Sequence, residues 1–371
     1  MTQETANHAI HGFHRKTLRV LGERVSMQAD PWVCGLCVLL AFAAFGIGAF
    51  SLTSGTYPIS FAGALEVLAE AVTDPFEGFQ GSLAGQDAGN GNVIRMVVVE
   101  WRLPRVALAF LLGACLGMSG AIFQSLTRNP LGSPDIIGFS AGSYTGALIV
   151  ILLFSGGYYE TAAGALVGGI ATASLVYLLA WRRGVQGFRL IIVGIGVAAM
   201  LGAFNAWMIR EADLQVAMSA AIWGAGSLNG LGIEQLIPVM IAVVILVPAT
   251  LLFGRPLHQL EMGDDVARAS GVDVSRARLI LMTLGVALTA IVTAAAGPIS
   301  FIALVAPQIA RRLARSTGPM LGTSALMGGF LLLIADWTAQ HAFGVQLPVG
   351  VMTVSIGGLY FLFLLLREGR K

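Results

Sequence analysis

Apolar residues fall in ten long runs separated by short polar stretches, at 32–52, 103–126, 136–154, 161–181, 190–209, 235–253, 278–296, 300–314, 321–338 and 348–366. A helix that crosses a bilayer needs ~20 such residues. The eighth run is short and the second is long. No polar stretch is long enough for a separate soluble domain. The pattern predicts an all-α, polytopic membrane protein of about ten transmembrane helices, with a membrane domain over 32–371 behind a polar tail over 1–31. The run from Trp32 to Leu52 lacks a short apolar core followed by a small-residue cleavage site, so it reads as a signal-anchor helix that is retained.

Two loops carry patterns of their own. In the loop 53–101, Phe61, Leu65 and Leu68 recur at helical spacing with Glu66 and Glu70 between them. That predicts a short interfacial helix over 58–72, with the rest, rich in glycine, as loop. In the loop 254–278, Glu261, Asp264 and Asp265 precede Arg268, and acids favour a helix N-terminus. Met262, Val266 and Ala269 form an apolar stripe, Gly271 is placed to end the helix, and a second short helix is expected from Ser275. An amphipathic helix lying across one face suits a groove on a partner protein.

Composition narrows the class. Of 371 residues, 56% are apolar and 11% charged, against about 25% charged in soluble domains. Mean hydropathy is +0.80. A water-soluble globule and a disordered chain are both excluded, and three cysteines exclude a disulfide scaffold. Glycine is abundant, at 47 residues, as close packing between membrane helices favours. With the N-terminus cytoplasmic, all but Arg95, Arg102, Arg105 and Arg210 of the 22 Lys and Arg fall in inner loops or tails. That bias sets the orientation, and an even number of spans places both termini inside.

The spans hold few ionisable groups. Asp336 is the clear case and Asn205 the main amide. Ion-coupled carriers use intramembrane charges in relays, so an ion-coupled secondary transporter is disfavoured, as is metal coordination by this chain. No G-x-x-x-x-G-K-[ST] loop is present, so any ATPase must be a partner. Gly138-Phe-Ser140-Ala-Gly142 fits a nucleophile elbow, but the strand-turn-helix context and a nearby His are missing. Gly194-Ile-Gly196 reads as helix packing. So do Cys34 and Cys37 within the first span, and His8, His11 and His14 read as part of a solvated tail. Arg102 and Arg105 share one helix face where the outer loop enters the second span. They suit either snorkelling or docking to carboxylates of an outside partner.

Several motifs, in order, carry a family likeness. They are Glu100-Trp-Arg102-Leu-Pro-Arg105, Gly117-Met-Ser-Gly120-Ala-Ile-Phe-Gln124, Asn129-Pro-Leu-Gly-Ser-Pro-Asp135, Gly263-Asp-Asp265 with Gly271, Gly297-Pro-Ile-Ser-Phe-Ile-Ala-Leu-Val-Ala-Pro307, Ala335-Asp336 and Leu347-Pro-Val-Gly-Val351. Together the chain resembles the permease family of iron-siderophore and vitamin B12 importers. Phe188–Gly196 and Ser227–Leu231 resemble the ferric catecholate (enterobactin-type) branch.

The resemblance implies a type II ATP-binding-cassette importer in the bacterial cytoplasmic membrane. A second, related permease subunit would form a heterodimer with this chain. Two cytosolic ATPase subunits would hold ATP and Mg, leaving this chain without a cofactor, a metal or an enzymatic activity. A periplasmic or lipid-anchored siderophore-binding protein would deliver ferric siderophore to the membrane-embedded pair, with no nucleic acid involved. The likeness assigns ATPase coupling to Glu261, Gly263, Asp264, Asp265, Ala269 and Gly271, and docking of the binding protein to Arg102 and Arg105. Gln340 stands where vitamin B12-type permeases carry a third docking Arg, which speaks against B12 as cargo. Heme, vitamin B12 and other siderophores are the alternatives. The fifth and tenth spans are expected among the lining of the substrate path, with Asn205, Trp207 and Met208 on the fifth as contacts.

Overall fold

The structure, a computed structural model, describes residues 16–20, 25–55, 59–73, 90–135, 138–181, 187–316 and 318–368. His8, His11 and His14 lie outside the described residues. Within the stretch expected as a tail, β1 (Lys16–Val20) and β2 (Val25–Ala29) pair antiparallel, Lys16 opposite Ala29. Every other regular element among the described residues is helical, the short α8 (Leu214–Gly224) included. Each of the ten apolar runs coincides with a helix: α1 (Pro31–Thr53), α4 (Leu103–Thr127), α5 (Phe139–Phe154), α6 (Tyr158–Ala180), α7 (Gly187–Glu211), α9 (Ile233–Leu252), α12 (Val274–Ala296), α13 (Ile302–Ala314), α14 (Leu321–His341) and α15 (Val349–Glu368). Among the described residues, seven helices are long and apolar enough to cross a membrane. At 13 residues, α13 rises only about 20 Å.

Local chemistry sets the ends. Asp30 caps α1 by accepting from the Trp32 N–H, with Pro31 in the first turn. Asp273 caps α12 in the same way through Arg276 N–H. Arg128 and Arg315 end α4 and α13 in the left-handed conformation. The interfacial helix expected over 58–72 is α2 (Phe61–Thr73), with Phe61 and Leu65 exposed and Ala64 buried. The rest of that loop is not all irregular. A short helix, α3 (Asn90–Arg95), runs through a π-helical turn at Met96–Arg102 straight into α4.

α4 is the axis of the bundle, buried without a break from Leu112 to Leu126. Its small residues let neighbours approach to backbone contact. A Cβ added at Gly113 or Gly117 would strike the carbonyls of Gly328 or Ser324 on α14, and one at Gly120 would strike that of Ala303 on α13. α5 and α6 cross through the same device, Gly142 and Gly146 against Gly168 and Gly164. The outward surfaces carry large apolar side chains, among them Phe42 and Phe45 on α1, Met200 on α7 and Val244 on α9. That is the surface a lipid-facing bundle presents.

Candidate functional site

The end of the bundle that carries most of the arginines is called the inner end here, and the opposite end the outer. At the outer end the π-helical turn places Arg102 and Arg105 against different neighbours. Arg102, half-buried, donates from Nη1 to the Leu52 carbonyl at 2.7 Å, under the end of α1. Arg105 lies between α4 and α14. Its Nε donates to Oδ2 of Asp336 at 3.0 Å and its Nη2 to Oδ1 at 2.8 Å. Gln340, one turn further along α14, donates from Nε2 to Oδ2 of the same carboxylate at 2.7 Å. The Arg105 and Asp336 side chains are 14% and 3% exposed. A carboxylate this buried is tolerable only when paired. The docking trio therefore divides: Arg105 and Gln340 are turned inward onto Asp336, and Arg102 stands apart from them.

At the inner end the loop expected to hold one amphipathic helix holds two, α10 (Gly254–Met262) and α11 (Asp264–Ala269), broken at Gly263 with φ 132°. That conformation suits glycine. Gly271, with φ 82°, follows the end of α11. The short helix expected from Ser275 is the first turn of α12 itself.

The acids of this loop face opposite ways. Asp264 takes Arg278 Nη2 on both oxygens, at 2.9 and 3.1 Å, and also accepts from Arg128. Arg128 binds the Leu260 carbonyl as well, at 2.9 Å from Nη2. Glu261 accepts from Arg311 Nη1 at 3.0 Å, and Arg311 Nη2 reaches Ser125 Oγ at 2.9 Å. Partial burial alone would push the Asp264 carboxyl up, but Arg278 and Arg128 outweigh it and hold the group below its usual range. For Glu261 the balance is reversed. Desolvation raises it, and Arg311 and His258 offset that only in part. Glu261 and Asp264 thus fasten the loop to the bundle. Asp265, its side chain 99% exposed, points outward with Met262, Val266, Ala269 and Gly271.

The residues expected along the path are mostly engaged inside the subunit. Asn205 is buried, accepts from Thr145 Oγ1 at 2.7 Å and donates to the Ala141 carbonyl at 3.4 Å, which ties α7 to α5. Met208 packs with Leu148 and Ala220. Of the three, Trp207 alone is exposed, its ring 5.7 Å from that of Phe204. The elbow-like Ser140 donates to Asp135, which also accepts from the Phe301 N–H. His341 stacks on Trp337 at the outer end of α14. Among the described residues no three His, Cys, Asp or Glu side chains gather at one point.

Sequence reasoning missed Arg128, Arg278 and Arg311 as the partners of the loop acids. It also missed the bonds that join the Asn129–Asp135 motif to the Gly297–Pro307 motif. The available signal was the presence of Gln124 and Gln308 in otherwise apolar runs, since buried amides need partners.

A helical bundle with lipid-type outer surfaces and, among the described residues, seven helices long and apolar enough to span a bilayer marks a multi-pass membrane protein. The sequence pattern of the FecCD transport family spans residues 40–367, and the chain belongs to that family. It is 55% identical over 277 residues to the ferric enterobactin transport system permease protein FepG of Escherichia coli K12, covering 74% of this chain and 84% of that protein. It is 38% identical over 285 residues to the iron(3+)-hydroxamate import system permease protein FhuG of Bacillus subtilis, covering 73% and 84%. A solved metal-chelate type ABC transporter in an inward-facing conformation shares the fold, with TM-score 0.76 at 23% identity over 90% of this chain and 99% of that one.

Proposed function

We propose that this chain is one permease subunit of an ATP-driven importer that carries a ferric catecholate siderophore, of the enterobactin type, across the bacterial cytoplasmic membrane by alternating access. The ten helices, α13 included, are its ten spans, and both termini are cytoplasmic. A related permease pairs with it. Two ATPase subunits bind ATP and Mg below, and a binding protein docks above at the rim around Arg102. The chain itself catalyses nothing.

The observation that carries the reading is the inner loop. Its inward acids are fastened by arginines from three different elements, while Asp265, Val266 and Ala269 stand outward on a short helix. A loop fastened on one side and exposed on the other suits contact with an ATPase. The choice of catecholate is supported by the 55% identity to the enterobactin permease. A bulky anionic complex is also served by spans with few carboxylates, and Asp336 is neutralised by Arg105.

The test is uptake of radio-iron enterobactin in cells lacking this chain, with and without a plasmid copy, beside a ferric hydroxamate and labelled vitamin B12. Selective loss and rescue of the catecholate signal is the expected result. Selective loss of another ligand would keep the importer and replace the cargo.

A further inference from the structure

α13 is bound along its length to the segment that ends α4 and follows it. The Phe301 N–H donates to Asp135 at its outer end. Gln124 Nε2 donates to the Leu304 carbonyl at 2.9 Å, and Gln308 Nε2 to the Pro130 carbonyl at 2.8 Å. Pro307 has no N–H, so the Ala303 carbonyl lacks its donor one turn on. Gly120 backs directly onto that carbonyl. Helix and segment are therefore joined along the length of α13.

At its inner end α13 carries Arg311. One guanidinium joins three elements: its own helix, α4 through Ser125, and α10 through Glu261. The link to α10 is narrow. Oε2 of Glu261 and Nε of Arg311 are buried with no hydrogen-bond partner among the described residues, so a single Nη1–Oε1 bond of 3.0 Å carries the contact. Asp264, by contrast, is held by two arginines, Arg278 on α12 and Arg128 just past α4. The loop is thus joined to the 124–135 segment directly, through Arg128 on Asp264 and on the Leu260 carbonyl, whereas Glu261 joins it to α13.

We infer that Arg311 is a positioning residue for energy coupling: through Glu261 it passes displacement of the α10–α11 loop to α13, so that α13 moves in step with the 124–135 segment, which Arg128 holds to the same loop. This rests on the reading of that loop as the ATPase contact. A purely structural role for Arg311 would lower the amount of assembled complex and leave the stoichiometry of the assembled fraction alone.

The experiment measures ferric enterobactin imported per ATP hydrolysed, in liposomes holding the whole complex with its binding protein. The ratio does not depend on how much complex assembles. Arg311→Ala and Glu261→Ala are each expected to lower it about tenfold, and the double variant no further than either single. Arg311→Lys, which keeps the charge but not the two-way fork, is expected to lose about threefold. An unchanged ratio in Arg311→Ala, or additive losses in the double variant, overturns the inference. Where Arg311→Ala does not assemble, Arg311→Lys decides, and an unchanged ratio there overturns it equally. A wild-type complex that purifies without any ATPase subunit would instead overturn the proposed function.

Discussion

Arg105 and Asp336 meet edge to edge, two nitrogens on two oxygens, in the seam between α4 and α14. Both side chains are largely out of solvent, so the pair acts as a strut. Removing one partner strands the other charge, which costs about 3–5 kcal/mol at a buried site. Asp336→Ala and Arg105→Ala should therefore each lower the thermal midpoint of the detergent-purified protein sharply. Gln340→Ala removes one hydrogen bond to the carboxylate and should cost about 1–2 kcal/mol. Equal, small effects in all three would show that the pair is not a strut.

The same geometry separates stability from docking. Arg102 does not share the Asp336 carboxylate, so Arg102→Glu should weaken binding-protein affinity for the assembled permease about tenfold with a smaller loss of thermal midpoint than Arg105→Glu. Arg105→Glu should lose stability first. Titration of the binding protein against both variants checks this, and undiminished affinity with Arg102→Glu would remove that residue from the docking surface.

Glycine positions give a graded test of the packing. Gly120→Ala drives a methyl into the Ala303 carbonyl and Gly117→Ala one into Ser324, both backbone atoms that cannot step aside. Overpacking of this kind costs about 1–3 kcal/mol. Around Gly196 and Gly202 nothing lies within 4 Å of an added Cβ. Their alanine variants should match wild type or exceed it, because alanine favours the helix. Membrane accumulation and thermal midpoint of the four variants should fall into these two classes.

The helices were legible because apolar run length is a local property, and all ten runs lie on helices. The inner loop was legible only in outline. Its acids, its stripe and Gly271 are adjacent in sequence, so an amphipathic element there could be expected. Which acids face inward depends on Arg128, 136 residues from Asp264, and on Arg311, 50 residues from Glu261. No local pattern encodes such partners. For the same reason Arg105 read as an outward charge. Its spacing from Arg102 is local, but its partner Asp336 is 231 residues away. The π-helical turn before α4 was hidden because Val97, Val98 and Val99 are β-branched, which argues weakly against any helix there.

The two fastened acids should respond to pH with opposite signs. Asp264 has a folded value below its usual 3.8. Its contribution is complete above 3.8 and is lost as pH falls through the lower folded value. Glu261 has a folded value above its usual 4.5. The folded chain then binds that proton more tightly than the unfolded chain, so stability falls as pH rises from 4.5 through the folded value. The deficit of Asp264→Asn against wild type should shrink in strong acid. Glu261→Gln should gain on wild type as pH climbs past 4.5. Thermal midpoints measured from pH 3 to pH 8 test both slopes, and parallel curves would contradict the opposed environments.

Asp265 and Gly271 test the outward side of the same loop. Asp265 is 99% exposed and its one ion pair, to Arg268 at 3.3 Å, is three residues away on the same short helix. Such a surface pair contributes little to stability. Asp265→Arg should therefore leave the thermal midpoint within about 1 °C of wild type while reversing a charge at the centre of the exposed face. Gly271 has open space around it but a left-handed φ of 82°. An alanine there costs about 1 kcal/mol in backbone strain, and leucine adds bulk on the outward side. If this face meets the ATPase, both Asp265→Arg and Gly271→Leu should lose ATPase subunits on purification or hydrolyse ATP without import. Glu261→Ala, on the inward side, should retain the subunits and lose only the yield of import per ATP. The contrast can be read from subunit stoichiometry and uptake in one set of preparations. Retention of ATPase and normal uptake in both outward variants would move the contact elsewhere on the inner end.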